Sequence, residues 1–288
     1  MNIIFDNQPS IIENTFSLYL TPKQCVKFYS SNCELYYLYN KNNKFESNYY
    51  TPKDKTELQG AVNDWCYNRE EAILKYGHIS YWNIINIIDI GGLFCNEASE
   101  INSIYDKKHY FNDNIGDWNT SNITEMWATF SCSNKFNQPI GNWNISKVNN
   151  MSYMFSDATE FNQSIDKWDT SNVRTMEFMF YNSFKFNQSI NNWNICNLEY
   201  INSMFGDTYE YNQPMYKWDI KNIRYMQSMF QGAQKFNQDL NAWNINITIK
   251  LIDISNLFYE ANNFNKLNCI NWIVENKPVI FEDICVED

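Results

Sequence analysis

The sequence predicts a right-handed α/β solenoid: a coil with one short strand and one short helix per 25-residue repeat, closed at its N-terminal end by a helical cap. Three observations predict it. Trp stands at 118, 143, 168, 193, 218 and 243 in unbroken register. Phe or Tyr stands at 111, 136, 161, 186, 211 and 236 at the same interval. The stretch FNQSIDKWDTSNVRTMEFMF (161–180) recurs with small changes at 136, 186 and 211, so the chain is first of all a repeat array.

Taken in order, residues 1–53 form a non-repeat segment in which aromatic and polar residues alternate, with a strand flavour (CVKFYSSNCELYYLYN). Residues 54–81 are expected to be the helical cap. Thr56 and Gln59 have capping-box spacing, and Leu58, Val62 and Trp65 recur at helical intervals. A second short helix follows, with Asn68 as a cap, Glu70 and Glu71 in its first turn, Lys75 in its last and Gly77 beyond it. The expected bounds are 57–66 and 69–76.

The repeat region is placed at 82–272, about eight units of which six are regular. Trp82 and Phe94 have the spacing of Trp118 and Phe130; eleven inserted residues then precede the regular block, and three more follow Trp243. Residues 273–288 are read as an acidic C-terminal cap. Degenerate ends are what a stack of units requires, because each interior unit buries its faces on two neighbours.

Within a unit, Ile140, Trp143 and Ile145 make the frame of a leucine-rich-repeat strand with Trp in the middle Leu place. Alternation along that strand turns Trp143 and Ile145 inward and Asn142 and Asn144 outward. Met151, Met154 and Phe155 follow at steps that predict a short helix. The predicted core therefore holds Trp118, Trp143, Trp168, Trp193, Trp218 and Trp243 with Phe136, Phe161, Phe186 and Phe236. Asn137, Asn162, Asn187, Asn212 and Asn237 follow the aromatic and are expected to form a structural ladder of amides, each sitting over the next.

Repeat and composition also bound the function. A net charge of −11 disfavours nucleic acid and anionic membrane surfaces, both of which need clustered Lys and Arg. The start of the chain lacks a basic leader, and no apolar run approaches a membrane span, so secretion is not expected. There are two His, His78 and His109, with no metal-ligand spacing, and eight Gly with no phosphate loop. Asp169 and Asp219 share their repeat position with Asn, whereas acid–base chemistry needs specific ionised groups. No enzyme, cofactor or metal is expected. The Trp-flanking columns (Asp117, Asn119, Asn142, Asn144, Lys167, Asp169, Asn192, Asn194, Lys217, Asp219 and Asn244) are the candidate binding face.

The repeat closely resembles the BspA-like family, whose 25-residue leucine-rich-repeat-like units occur in mycoplasma-type surface proteins. Its motif, F-N-x-x-I-x-x-W-x-T-S-x-V-x-x-M-x-x-M-F, is met by Phe161, Asn162, Ile165, Trp168, Thr170, Ser171, Val173, Met176, Met179 and Phe180. The lead-in TELQGAVNDWCYNREEAILKYGHISYW is similar to members from large AT-rich DNA viruses, which implies the host cytoplasm or a viral particle as its location. The resemblance implies a solenoid and a role in adhesion or host interaction, with no catalytic residues. A non-enzymatic module binding a partner protein is the expected function, with a structural or adhesive surface protein as the alternative.

Overall fold

The computed structural model describes residues 49–95, 107–243, 246–247, 253–274 and 277–278. The segment 1–48, the bulk of the eleven-residue insertion and residues 279–288 lie outside them.

The two cap helices are present, as α1 (Lys55–Tyr67) and α2 (Arg69–Tyr76). The cap of α1 is not the Thr56–Gln59 pair. Asp54 accepts from the Glu57 N–H at 2.9 Å, and Glu57 reaches back to the Lys53 N–H at 3.0 Å. The box is shifted upstream because a carboxylate satisfies the first-turn N–H more strongly than a hydroxyl. Asn68 makes no side-chain capping bond, while Gly77 ends α2 at φ 72°. α1 buries Leu58, Ala61, Val62 and Trp65, and the Trp65 ring meets Trp82 edge-on at 5.9 Å.

The array does not have the predicted architecture. Neither a strand nor a helix recurs with the repeat. Among the described residues the only strands are β1 (Asn246–Ile247), β2 (Ile273–Val274) and β3 (Lys277–Pro278), and the regular units are built from turns. Side chains around Trp143 do alternate inward and outward, but the backbone there bends. The Trp143 N–H donates to Ile140 O at 3.0 Å, and Val148 N–H to Ile145 O at 2.8 Å. Two successive four-residue turns leave no extended run to pair.

The predicted Met-x-x-Met-Phe helix is overturned by its backbone angles. Ten and fourteen residues after each Trp the chain enters the left-handed region, at Ala128 and Cys132, Tyr153 and Asp157, Phe178 and Asn182, and Ser203 and Asp207. Ser228 and Gly232 continue the series, and no position is held by a β-branched residue, whose Cβ would clash there. In the third unit, Met154 N–H bonds Met151 O and Ala158 N–H bonds Phe155 O, each turn with a positive φ at its third residue. That is the type II pattern, and it cannot continue as a helix.

These turns leave alternate N–H groups pointing along the stack. Met151, Tyr153, Phe155 and Asp157 donate to the carbonyls of Thr175, Glu177, Met179 and Tyr181 in the following unit. The same four-rung row recurs between regular units at 2.7–3.1 Å. One parallel bridge per unit marks its start, through Glu125, Asn150, Thr175, Tyr200, Tyr225 and Asp253. Asp253 restores the register after the three-residue insertion.

Inside the row lies one continuous core. Phe130, Phe155, Phe180, Phe205, Phe230 and Phe258 stack at 5.5–5.7 Å with nearly parallel planes. Phe111, Phe136, Phe161, Phe186, Tyr211, Phe236 and Phe264 form a second column at 5.9–6.0 Å. Phe94 and Phe111 touch at 4.0 Å just as Phe130 and Phe136 do at 3.8 Å, so the insertion between them leaves the packing unchanged.

The Trp of the 25-residue column is buried in each unit and has a second task. The indole N–H of Trp168 donates to Ile140 O of the preceding unit at 3.2 Å, and Trp118, Trp143, Trp193, Trp218, Trp243 and Trp272 do the same with their own preceding units. An aliphatic residue could fill the space but could not make that bond.

Trp168→Ala should therefore cost about 3–5 kcal/mol, the range for buried aromatics, while Lys167→Ala, at an exposed position, should leave the denaturation midpoint near wild type. Tyr211 occupies a Phe column with its hydroxyl buried and unpartnered. Tyr211→Phe should raise stability by about 1 kcal/mol or more, since an unmet buried hydroxyl is costly; a lower midpoint would contradict that packing.

Candidate interaction surface

Three surfaces of the stack carry the polar side chains: the amides after each Phe, the residues flanking each Trp, and the outer side of the turn row.

The amides form a ladder with one acceptor at each rung. Asn137 Oδ1 accepts both the Asn162 N–H and the Gln163 side-chain amide at 3.0 Å. Asn162, Asn187 and Asn212 repeat this pair of bonds at 2.8–3.0 Å. Asn237 accepts from Asn265 N–H and the Asn268 amide where the register changes. The ladder joins unit to unit and uses the Asn oxygens for that purpose.

The Trp-flanking residues are exposed from Asp117 to Asp219, while Asn244 lies outside the described residues. Asp117, Asn142, Lys167, Asn192 and Lys217 stand before the Trp, and Lys217 Nζ donates to Asn192 Oδ1 at 2.6 Å. After the Trp, Asn119, Asn144, Asp169, Asn194 and Asp219 share a different role. The Oδ1 of each accepts the N–H two residues on, at 3.1–3.3 Å. Only an oxygen at that distance is needed, which explains why Asn and Asp exchange freely there. This face is polar and largely bonded to itself.

Sequence reasoning missed a further column. Asn122, Asn172, Asn197 and Asn222 donate their amides to carbonyls of the preceding unit at 2.6–2.9 Å. Its signal was available as Asn four residues after the Trp, broken by Lys147, whose Nζ instead reaches Asn122 Oδ1 at 2.8 Å. A column of alternating charge, Lys135, Glu160, Lys185, Glu210 and Lys235, was also overlooked; Lys185 pairs with Glu160 and Lys235 with Glu210. The Lys185 ammonium holds the Glu160 carboxyl below its usual range.

Exposed rings also stand elsewhere, at Phe184, Tyr209 and Tyr216, but those of the turn wall are joined into stacked groups. Trp127 is 43% exposed and lies over Gly91, where a Cβ would fall 2.2 Å from the indole nitrogen. Tyr153 and Phe178 stack at 4.8 Å, Phe178 meets Tyr181 edge-on at 5.7 Å, and Tyr200 and Tyr225 stack at 5.2 Å. Tyr181 covers Gly206. Reading this stretch as a helix hid the row, because helical spacing would have scattered these rings.

The two His are structural. His78 is buried against Trp65, and burial pushes its imidazole below the usual value; His109 Nδ1 lies 2.8 Å from Asn134 Oδ1. No helix among the described residues is long and apolar enough to cross a membrane.

A family model described as "Mycoplasma protein of unknown function, DUF285" matches residues 62–182, 99–213 and 162–272. The class is thus a mycoplasma-type repeat protein, and this chain belongs to that family, with the match running from α1 to the last Trp. It says nothing of the viral members. No curated protein and no solved structure matches the chain.

Since the ladder uses Asn oxygens and not their amino groups, Asn162→Asp should be tolerated near neutral pH. Asn162→Ala leaves the Asn187 N–H and the Gln188 amide without an acceptor and should cost about 2 kcal/mol. Equal denaturation midpoints for the two variants would rule out this role.

Proposed function

We propose that this chain is a non-enzymatic protein-interaction module: a stack of units that presents the turn wall to a partner protein. The observation that carries the reading is the uneven division of side chains. The ladder amides and the Asn or Asp after each Trp are committed to bonds within the stack. The turn wall exposes Trp127, Tyr153 and Tyr225, each more than two-fifths accessible. Exposed aromatic side chains grouped on one face mark interaction sites far more often than scattered apolar residues do. The rings sit on a backbone cross-linked at every unit, so little conformational entropy is lost when a partner settles on them.

The test is capture from a lysate of the source organism, with wild type beside two variants. Tyr153→Ser with Phe178→Ser removes rings from the turn wall, placing there the residue that Ser203 and Ser228 supply at the same backbone angle. Lys167→Glu with Lys217→Glu alters the Trp-flanking face and leaves its Asx bonds intact. A partner lost only by the first variant is the expected result. Loss only by the second would move the surface to the Trp side, and capture of nothing would favour a structural or adhesive role.

A further inference from the structure

Among the described residues, four cations are held in one manner, by a carboxylate and an aromatic ring together. Lys55 Nζ lies 2.8 Å from Asp89 and 5.7 Å from the Trp127 ring centre. Arg69 is shared by Asp113 and Trp65, Lys75 by Asp64 and Tyr76, and Lys235 by Glu210 and Tyr209. The negative ring face and the carboxylate attract the same charge, and the pair holds it better than either does alone.

Lys55 is the informative case, because it comes from α1 and seats on the turn wall. Asp89 is the bridge residue of the first unit, and Trp127 stands two residues beyond the bridge residue of the second. The wall at this end is already a receptor for a cation offered by another element.

The same ingredients recur further along the wall without a cation. Tyr153, Phe178 and Tyr181 are joined ring to ring. Tyr153 N–H bonds Glu177 O, Asp157 N–H bonds Tyr181 O, and Asp207 follows Gly206, which Tyr181 covers, so the three acids border the rings; their charges add to burial in pushing the Tyr153 and Tyr181 hydroxyls up. Asp157 accepts from Asn182 and Ser156, and Glu177 accepts from Asn202, all neutral donors. None of the three carboxylates joins an ion pair among the described residues. By contrast Glu160, Glu199 and Glu210, in the same units, each have a Lys or Arg.

We infer that the turn wall around Phe178 binds a cationic segment of a partner protein, its Arg or Lys side chains seating on the rings of Tyr153, Phe178 and Tyr181 beside Asp157, Glu177 and Asp207. This rests on the interaction-module reading and adds the chemistry of the partner.

The test uses the full chain and a fluorescent octa-arginine peptide, read by anisotropy, with octa-glutamate as the negative probe. A net charge of −11 attracts any polycation weakly, so the deciding variant is neutral: Tyr153→Ser, Phe178→Ser and Tyr181→Ser together. Each Ser already stands at the equivalent place in another unit, as Ser203, Ser228 or Ser156, and the melting temperature reports that the variant is folded. Octa-arginine affinity is expected to fall about tenfold in the ring variant and as much in Asp157→Asn, Glu177→Gln, Asp207→Asn. Neutralising three carboxylates away from the turn wall, Glu71, Asp117 and Asp169, should change it less than about twofold. A folded ring variant that binds like wild type overturns the inference, as does wild type that does not bind at all. Failure here with a partner still captured from lysate sinks only the cationic partner; failure of both sinks the module reading too.

Discussion

Backbone hydrogen bonds in this array are closed between units as much as within them, and the rest of the structure depends on that. A 25-residue unit made of turns has no sheet or helix in which to satisfy its peptide groups. The alternate N–H groups freed by the two left-handed residues find acceptors only in the next unit. Buried peptide groups do not go unpaired, so the unit spacing, the stacked rings and the placement of every short side chain follow from that row. The left-handed residues are strained for anything but Gly, and their recurrence at fixed places in unit after unit is the cost of turning the row's donors outward.

Side-chain bonds complete what the turns leave. The Trp indole serves an inner carbonyl, the Asn after each Phe column serves an N–H and a Gln, and the Asn four residues past the Trp serves an outer carbonyl. The abundance of Asn is thus an architectural requirement. A short side chain with both a donor and an acceptor reaches the neighbouring backbone where Gln would overshoot and Ser would fall short.

The repeat, its inward Trp and Phe columns and the two cap helices were legible in the sequence, because periodicity and apolarity together report burial. The secondary structure was not. Ile-x-x-Trp-x-Ile alternates as a strand does, and Met-x-x-Met-Phe steps as a helix does, yet neither pattern reports φ. The residues that decide it, such as Tyr153, Phe178 and Cys132, are not the Gly or Asn that usually announce a left-handed backbone. The same gap hid the role of the Asn and Asp that follow each Trp. An Asn/Asp alternation looked like tolerance on a solvated surface, whereas it records an acceptor demanded by the turn. The rings of the turn wall hold one place for only two units in a row, as Tyr153 with Phe178 and Tyr200 with Tyr225, so no column runs the length of the array.

The row has a direction. Every unit offers carbonyls toward the first unit and N–H groups toward the last, so the two ends of the stack are chemically opposite. At the first unit the exposed acceptors meet donors: the Gln59 amide at Leu93 O and the Lys108 ammonium at Cys95 O. At the last unit the corresponding groups are the N–H groups of Ile254, Asn256, Phe258 and Glu260, which call for acceptors. A cap suited to one end is therefore repelled at the other. The array can be lengthened or shortened by whole units in its middle with both ends left as they are, but it cannot be joined head to head. Polarity of this kind gives a repeat protein a built-in sense of front and back that its nearly identical units, taken singly, do not have.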